Sequence, residues 1–514
     1  MHAPAFPKHL ARFFSVNIRR RIRPIPVFVT MGICMWVGGT CLVSGTCRQT
    51  SIPLSPYRGA ILDRSGVMLA GSIPEHVLVI HPTQMPPGKE WAKDMGTILG
   101  LDPDALLRSA RSGRGPVTIA VNPGEGARER LESLGLDGAR ILTSYRRISP
   151  YRDLAGEIIG DVGEDGHGIS GVEYIYDDLL GESGVMPSRT GPGNVILSLE
   201  RGLQMEAEKG LQSALNTTQA ARGCFIVMDV ERGEILAMAN AKPSDSPSAP
   251  QVSETLHKKN FAIQGEVDPF PIPLLIARSE SLGCAPESDP SAYPRPPQDA
   301  WQWTVSPQGR EIFSPWSAEE IEQIRILPGI LGSLSRMGFG QTTGIDLEGE
   351  AAGRIPAHLE GTWSEPFTEG FSATPIQILR AFCALINRGK VVTPRITLTK
   401  HETSPSFWRL ASDLGKAGPP ITEKASIFLQ QELSREHGPS IVYVSGRVPD
   451  TNTAAQFLAL GFAPRHAPEI AYILVMDTIG DVSRISSILA GLHQTAYRGV
   501  GLAEARIQIA ASLP

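Results

Sequence analysis

The chain has no surplus of positive charge. Its 514 residues include 48 Lys and Arg against 53 Asp and Glu, a formal net charge of −5 that supplies no general attraction for nucleic acid, so no nucleic-acid partner is expected. Cysteine is scarce, six in all, and no two lie at the close spacing of a metal site. The eleven histidines include no His-x-x-x-His pair, which argues against a metal hydrolase, and nothing in the sequence calls for a cofactor. Neither disorder nor a collagen-like chain is compatible with 41% hydrophobic and 20% charged residues. The length leaves room for two to four domains at about 100–200 residues each.

What is present first is a polarised N-terminus. Lys8, Arg12, Arg19, Arg20, Arg21, Arg23, Arg48 and Arg58 precede the first acidic residue, Asp63. Directly after Arg23, residues 24–47 carry no charge and read PIPVFVTMGICMWVGGTCLVSGTC. That run is long enough to cross a hydrocarbon core of about 30 Å as one helix. A cleaved signal peptide competes with this reading, but no small-x-small site ends the run cleanly. The basic residues before the span predict a cytoplasmic tail over 1–23 and an extracytoplasmic bulk, hence a single-pass membrane protein. Cys34, Cys41 and Cys47 lie in or beside the span; Cys224 opens CFIVMDV and Cys383 sits in AFCALI, where buried thiols are expected rather than a disulfide.

Beyond the span, YRGAILDRSGVMLAGS (57–72) alternates around glycines as short strands joined by a tight turn would. An α+β module is expected over 48–190, closed by the linker SRTGPGN. A second region, 191–505, opens with a strand and an amphipathic helix carrying Leu203, Ala207, Leu211 and Leu215 on one stripe. CFIVMDV and EILAMAN, separated by Glu231, Arg232 and Gly233, form a hairpin pattern. Ser/Pro-rich loops follow at 243–250 and 286–297; FLALGFAP and EIAYILVMDT predict two more strands, a last helix is expected near 482–493, and 506–514 is a tail. The order suggests an antiparallel sheet covered by helices, an α+β fold.

Five blocks carry a family likeness: RGAILDRSGVMLA (58–70), YRRISPYRDLAGEIIGDVGEDGHGISGVEYIYDDLL (145–180), VMDVERGEILAMAN (227–240), GFGQTTGIDLEGE (338–350) and GFSATPIQILRAFCALINRGKVVTPR (370–395). In this order they resemble class B penicillin-binding proteins, over most of the chain from residue 57 to about 480. The resemblance implies a cytoplasmic tail, one membrane helix, a pedestal of the dimerisation type, and a transpeptidase domain that cross-links peptidoglycan stem peptides. It also implies three motifs. Ser-x-x-Lys supplies the acylated serine and its base, Ser-x-Asn relays protons and orients substrate, and Lys-Thr/Ser-Gly lies on a strand beside the site and holds the stem peptide's carboxylate.

All three are missing. Residues Asn260 to Pro269 match the lead-in to the nucleophile and Leu274 to Ala277 the helix after it, but Phe270, Pro271, Ile272 and Pro273 stand between, and the paired prolines are expected to disrupt the helix start. None of the chain's eleven lysines has Ser three residues earlier, and none is followed by Ser or Thr. The aligned third motif reads Asp450-Thr451-Asn452, replacing attraction for a carboxylate with repulsion. The one Ser-x-Asn, Ser15-Val16-Asn17, lies in the tail; EIFSPWSAEEI (311–321), where the motif belongs, offers Ser314 and Ser317 alone. A lost active site on a retained framework is therefore expected. Asp63, Arg64, Glu173 and Asp177 are read as holding turns and interdomain contacts, and Thr451 and Thr453 as strand packing or a remnant groove.

Three functions remain: a non-catalytic scaffold or regulator that binds a SEDS-type lipid II polymerase or division proteins, an active D,D-transpeptidase with a displaced nucleophile such as Ser279 or Ser281, or a non-covalent sensor of stem peptide or β-lactam.

Overall fold

A computed structural model describes residues 56–112, 116–121, 126–181, 192–241, 260–283, 302–305, 311–314, 330–355, 371–398, 419–434, 439–445, 454–479 and 485–502. The tail and the uncharged run lie outside them, as do Cys284, the two Ser/Pro loops and Asp450 to Thr453. Among the described residues no helix is long and apolar enough to cross a membrane.

The first layer is built on β1 (Ile61–Leu62) and the long β2 (Met68–Ile80), joined by a turn at Asp63–Gly66. The turn closes because Asp63 Oδ1 accepts from the N–H groups of both Ser65 and Val67, an Asx device, while Gly66 takes the left-handed conformation (φ 83°). After α1 (Glu90–Leu99), α2 (Pro103–Ser112), β3 (Val117–Val121) and α3 (Ala127–Ser133), β4 (Ala139–Ile148) returns; β3 and β4 flank β2, both antiparallel. Short helices α4 (Gly156–Ile159), α5 (Gly171–Ile175) and α6 (Asp177–Leu180) lead to β5 (Val195–Ile196), which runs parallel to β1 and joins the pedestal sheet to the second region. The short strands expected around 57–72 are present, the second far longer than its alternating pattern suggested.

The second region continues with α7 (Arg201–Thr218), β6 (Arg222–Asp229), β7 (Ile235–Ala241), α8 (Phe261–Gln264), α9 (Pro271–Gly283), β8 (Gln302–Val305), β9 (Glu311–Ser314), α10 (Ile330–Arg336), α11 (Pro375–Ile386), α12 (Glu423–Leu433), β10 (Ile441–Ser445), β11 (Ala454–Ala463), β12 (Ile470–Ile479) and α13 (Ile485–Tyr497). Its strands form one antiparallel sheet in the order β7-β6-β12-β11-β10-β9-β8. Period-two alternation divides β12 between two cores. Tyr472, Leu474 and Met476 pack with Leu203, Ala207, Leu211 and Leu215 of α7 and Leu492 of α13; Ala471, Ile473 and Val475 face the other core, with Phe382 and Leu379 of α11. Each fully buried leucine contributes about 2 kcal/mol of hydrophobic stabilisation.

Helix α11 is buried along its whole length, so it has no amphipathic stripe. Its start is fixed by a capping box in which Thr374 Oγ1 accepts from Gln377 N–H and Gln377 Oε1 accepts from Thr374 N–H. The Arg380 Nε on this helix donates to Val392 O, and burial pushes the guanidinium pKa down to about 10. Cys224 and Cys383 are buried free thiols whose pKa values burial pushes up, as expected for inert cysteines.

Candidate functional site

The site to test is the start of α9, where the nucleophile is expected. The chain enters through an Asp-Pro turn: Asp268 Oδ1 accepts from Phe270 N–H (3.0 Å), and Ile272 N–H donates to Pro269 O (2.9 Å). The paired prolines do not disrupt the helix start. Pro271 is the first helical residue and Pro273 lies in the first turn, where backbone N–H groups have no intrahelical acceptor and the fixed φ of proline already suits the helix. The expectation drawn from helix-interior proline fails because both residues fall in that privileged turn.

The space in front of this helix start is occupied by protein. Phe270 is 5% exposed and stacks on Tyr443 of β10, ring centroids 5.5 Å apart and 26° from parallel. The Tyr443 hydroxyl donates to Asp268 Oδ2 (2.6 Å). Gln456 on β11 holds the Asp268 main chain from both sides, Oε1 accepting from its N–H (2.9 Å) and Nε2 donating to its carbonyl (3.2 Å). Ile272 is fully buried in the core. Helix, two strands and turn are thus locked by one aromatic stack and four hydrogen bonds around Asp268. The hydroxyl this cluster brings to the helix start is a buried phenol committed to a carboxylate.

Other expected positions fare as follows. Ser279 is fully buried two turns into α9 and its hydroxyl donates to Ile276 O (2.7 Å), a helix-internal bond that faces no cleft. Ser281 lies in the same helix, its side chain outside the described residues. Ser314 ends β9, paired in register with Gln302; its side chain also lies outside them. β10 is the strand that touches the helix start, and Asp450, Thr451 and Asn452 fall between it and β11. In sequence, Gly446 and Arg447 follow β10 directly, so a cation stands three positions ahead of Asp450.

The framework residues do hold turns and interdomain contacts. Arg58, three residues ahead of β1, pairs with Glu173 (2.6 Å) and Asp177 (2.5 Å), and Arg147 of β4 takes the other Glu173 oxygen (2.6 Å). Burial pushes the Arg147 pKa down against the pull of Glu173. His167 Nδ1 lies 2.8 Å from Asp177 Oδ2, and that hydrogen bond and charge raise the imidazole pKa. Burial works to raise the Asp177 pKa, but bonds from Gly168 N–H, His167 and Arg58 prevail and lower it. Across the junction, Glu234 is fully buried between Arg64 (3.4 Å) and Arg395 (2.6 Å). Asp346 accepts from Ile396 N–H, Thr397 N–H and the Thr397 hydroxyl, which also meets Tyr176 OH (2.7 Å) from the pedestal. Burial raises the pKa of Asp346 and pushes Tyr176 up to about 12.

Sequence reasoning missed Asp268, Tyr443, Gln456, Glu234 and Asp346. The Asp-Pro pair ahead of α9 signals a turn; the other residues meet partners from segments 50 or more residues away and leave no local sign.

Comparison with known proteins agrees with this fold. Residues 53–194 match the penicillin-binding protein dimerisation domain and residues 330–426 the penicillin-binding protein transpeptidase domain. The chain is 25% identical over 483 residues to the probable peptidoglycan D,D-transpeptidase PenA of Neisseria gonorrhoeae, covering 84% of this chain and 81% of that one. It is 24% identical to stage V sporulation protein D of Bacillus subtilis (75% of this chain, 68% of that one) and 25% identical to the peptidoglycan D,D-transpeptidase FtsI of Escherichia coli (65% and 63%). Among solved structures, penicillin-binding protein 2X from Streptococcus thermophilus superposes with a TM-score of 0.62 at 16% identity (89% of this chain, 82% of that one). A peptidoglycan synthetase from Bifidobacterium adolescentis gives 0.59 at 18% (88% and 96%). With a dimerisation-type pedestal joined to a transpeptidase-type sheet, and relatives matched across both, the chain is similar in both regions to the class B penicillin-binding proteins.

Proposed function

We propose that this protein is a membrane-anchored, catalytically degenerate member of its family that serves as a scaffold or regulator of peptidoglycan synthesis or division. The observation that carries the proposal is the Phe270–Tyr443 stack, latched by Asp268, at the helix start where an acylated serine is expected. The absence of Ser-x-x-Lys and Lys-Thr/Ser-Gly anywhere in the sequence supports it independently. The displaced-nucleophile alternative loses ground at Ser279, whose hydroxyl is buried and turned back on its own helix.

In this reading the uncharged run at 24–47 anchors the chain in the inner membrane with 1–23 in the cytoplasm, and 48–190 and 191–505 are the pedestal and the transpeptidase-like domain. The partners are a SEDS-type lipid II polymerase or division proteins, engaged through the membrane helix and pedestal. The full chain incubated with a stem-pentapeptide mimic and an acceptor amine is expected to release no D-alanine above a no-enzyme control, and to co-purify with the polymerase through the pedestal. D-alanine release at the rate of an active relative, abolished by alanine at Ser279 or Ser281, contradicts the proposal and establishes the alternative.

A further inference from the structure

Helices α7 and α13 share one core with β12 and run in opposite directions. Glu206 pairs with Arg498 at one end, and a turn farther along Gly210 meets Leu492. A Cβ on Gly210 would stand 2.8 Å from Leu492 Cδ2, so the glycine lets the two helices close up there. Between the helices, on their solvent side, lies a groove of about 480 Å³, walled by Ser213, Ala214 and Thr217 of α7 and by Ile488, Gly491 and Thr495 of α13. Small and neutral side chains thus make up most of the walls; Glu206, at the near end, is already taken by Arg498.

Packing gives Gly491 no reason to be glycine. It lies inside α13, where glycine is a poor helix former, its φ is not positive, and a Cβ there would meet nothing within 4 Å. Gly88, Gly100, Gly126, Gly135 and Gly501 have the same open space, but each of them takes a positive φ. What the missing side chain of Gly491 does is keep the groove open.

The chain itself leaves beside this groove. Val500 and Leu502, just past α13, are partly buried against the core that α7 and α13 share, and Gly501 N–H donates to Glu469 (2.8 Å). Residues 503–514 lie outside the described residues and read AEARIQIAASLP. Ala503, Ala505, Ile507, Ile509, Ala511 and Leu513 fill every odd position, while Glu504, Arg506, Gln508 and Ser512 stand between them. That period of two is the pattern of an extended segment with one apolar face. The α7 wall from Glu206 to Thr217 is about 16 Å long, and apolar residues of an extended chain recur about every 7 Å, so the groove takes Ile507, Ile509 and Ala511 in succession. Residues 503–506 are left to turn the chain back.

We propose that the groove between α7 and α13 is the docking site of this chain's own segment 503–514, with Ile507 and Ile509 set into it and Arg506 and Gln508 facing water. The segment straps α7 to α13 on the face of the sheet opposite α11. The inference does not depend on whether the penicillin-type pocket is active.

The test treats the full chain, in a non-ionic detergent, with a trace of trypsin and follows release of the peptide that begins at Ile507 by mass spectrometry. Cleavage after Arg506 is expected to be at least tenfold slower than in a free synthetic peptide of residues 500–514. Gly491→Trp fills the groove from α13, and Ser213→Trp fills it from an exposed position on α7. Ile509→Asp places a charge on the apolar face of the segment. Each is expected to speed the cleavage at least tenfold while thermal unfolding stays cooperative. Cleavage of the unaltered chain as fast as the free peptide overturns the proposal. So does slow cleavage that persists in Ile509→Asp or in either folded tryptophan variant, because the segment is then held elsewhere.

Discussion

At residue scale the chemistry of the helix start turns on what Asp268 does. Here it accepts from the Phe270 amide and the Tyr443 phenol and acts as a strut. Tyr443→Phe removes one donor and leaves a charged acceptor short of a partner, at a cost expected to be about 1–3 kcal/mol in chemical denaturation. Phe270→Ala opens a cavity beneath the stack and is expected to cost about 3–5 kcal/mol, with no gain of acylation, because removing the plug supplies neither hydroxyl nor amine. An effect of Phe270→Ala within about 0.5 kcal/mol would mean that the stack is not packed as described.

His167 provides a pH-dependent term at the same scale. Its partner Asp177 raises its folded-state pKa, so the stabilisation is fully present below the unfolded histidine value near 6.5 and is lost as pH rises through the raised value. The Asp177 pKa is lowered, so its own contribution persists above the ordinary carboxylate range and is lost only as pH falls through the lowered value. His167 is largely exposed, and screening keeps the effect below about 1 kcal/mol. The melting temperature is expected to decline modestly from pH 6 toward pH 8, and His167→Gln is expected to flatten that segment; an identical slope in the variant contradicts the pairing.

At element scale, legibility followed periodicity. The stripe on α7, the β6–β7 hairpin and the β11 and β12 strands were readable because alternation or helical spacing writes their burial into adjacent residues. The all-buried α11 was readable as apolar sequence without a face, whereas β8 and β9 were not anticipated at all. Glu311–Ser314 lies in the stretch where Ser-x-Asn is expected, and it pairs with β10 and β8 through backbone bonds that its short sequence does not announce. The last helix runs 485–497 rather than 482–493, a boundary shift of the kind that helix ends commonly show. The α9 prolines teach the sharper lesson: the same residue type that breaks a helix in its interior is accommodated in its first turn. Pro271→Ala is accordingly expected to change stability by less than about 1 kcal/mol, chiefly through the unfolded chain, while Ile276→Pro in the interior is expected to cost about 3 kcal/mol or more. Equal effects of the two substitutions, measured by thermal unfolding, contradict the placement of the helix start.

At the scale of the whole molecule, the junction between pedestal and transpeptidase-like domain is a packed polar core. Glu234 sits fully buried between two arginines from different segments, and the Tyr176–Thr397–Asp346 chain crosses the same boundary. Such groups stay buried only while mutually satisfied, so removing one leaves the others uncompensated. Glu234→Ala is expected to cost about 3–5 kcal/mol and to make the segment around 195–200 susceptible to limited proteolysis; unchanged stability and protection would show that the two domains are held by other contacts. The junction is thus closed by mutually satisfied polar groups, beside a helix start, 270–276, that contains no serine.

The measurement that bears most directly on this account is intact-protein mass spectrometry of the purified full chain after incubation with a fluorescent penicillin, with an active relative treated in parallel. The account predicts an unmodified mass for this protein and a stoichiometric penicilloyl adduct on the relative. A matching adduct on this chain, traced by peptide mapping to any serine of the transpeptidase-like domain, would contradict it.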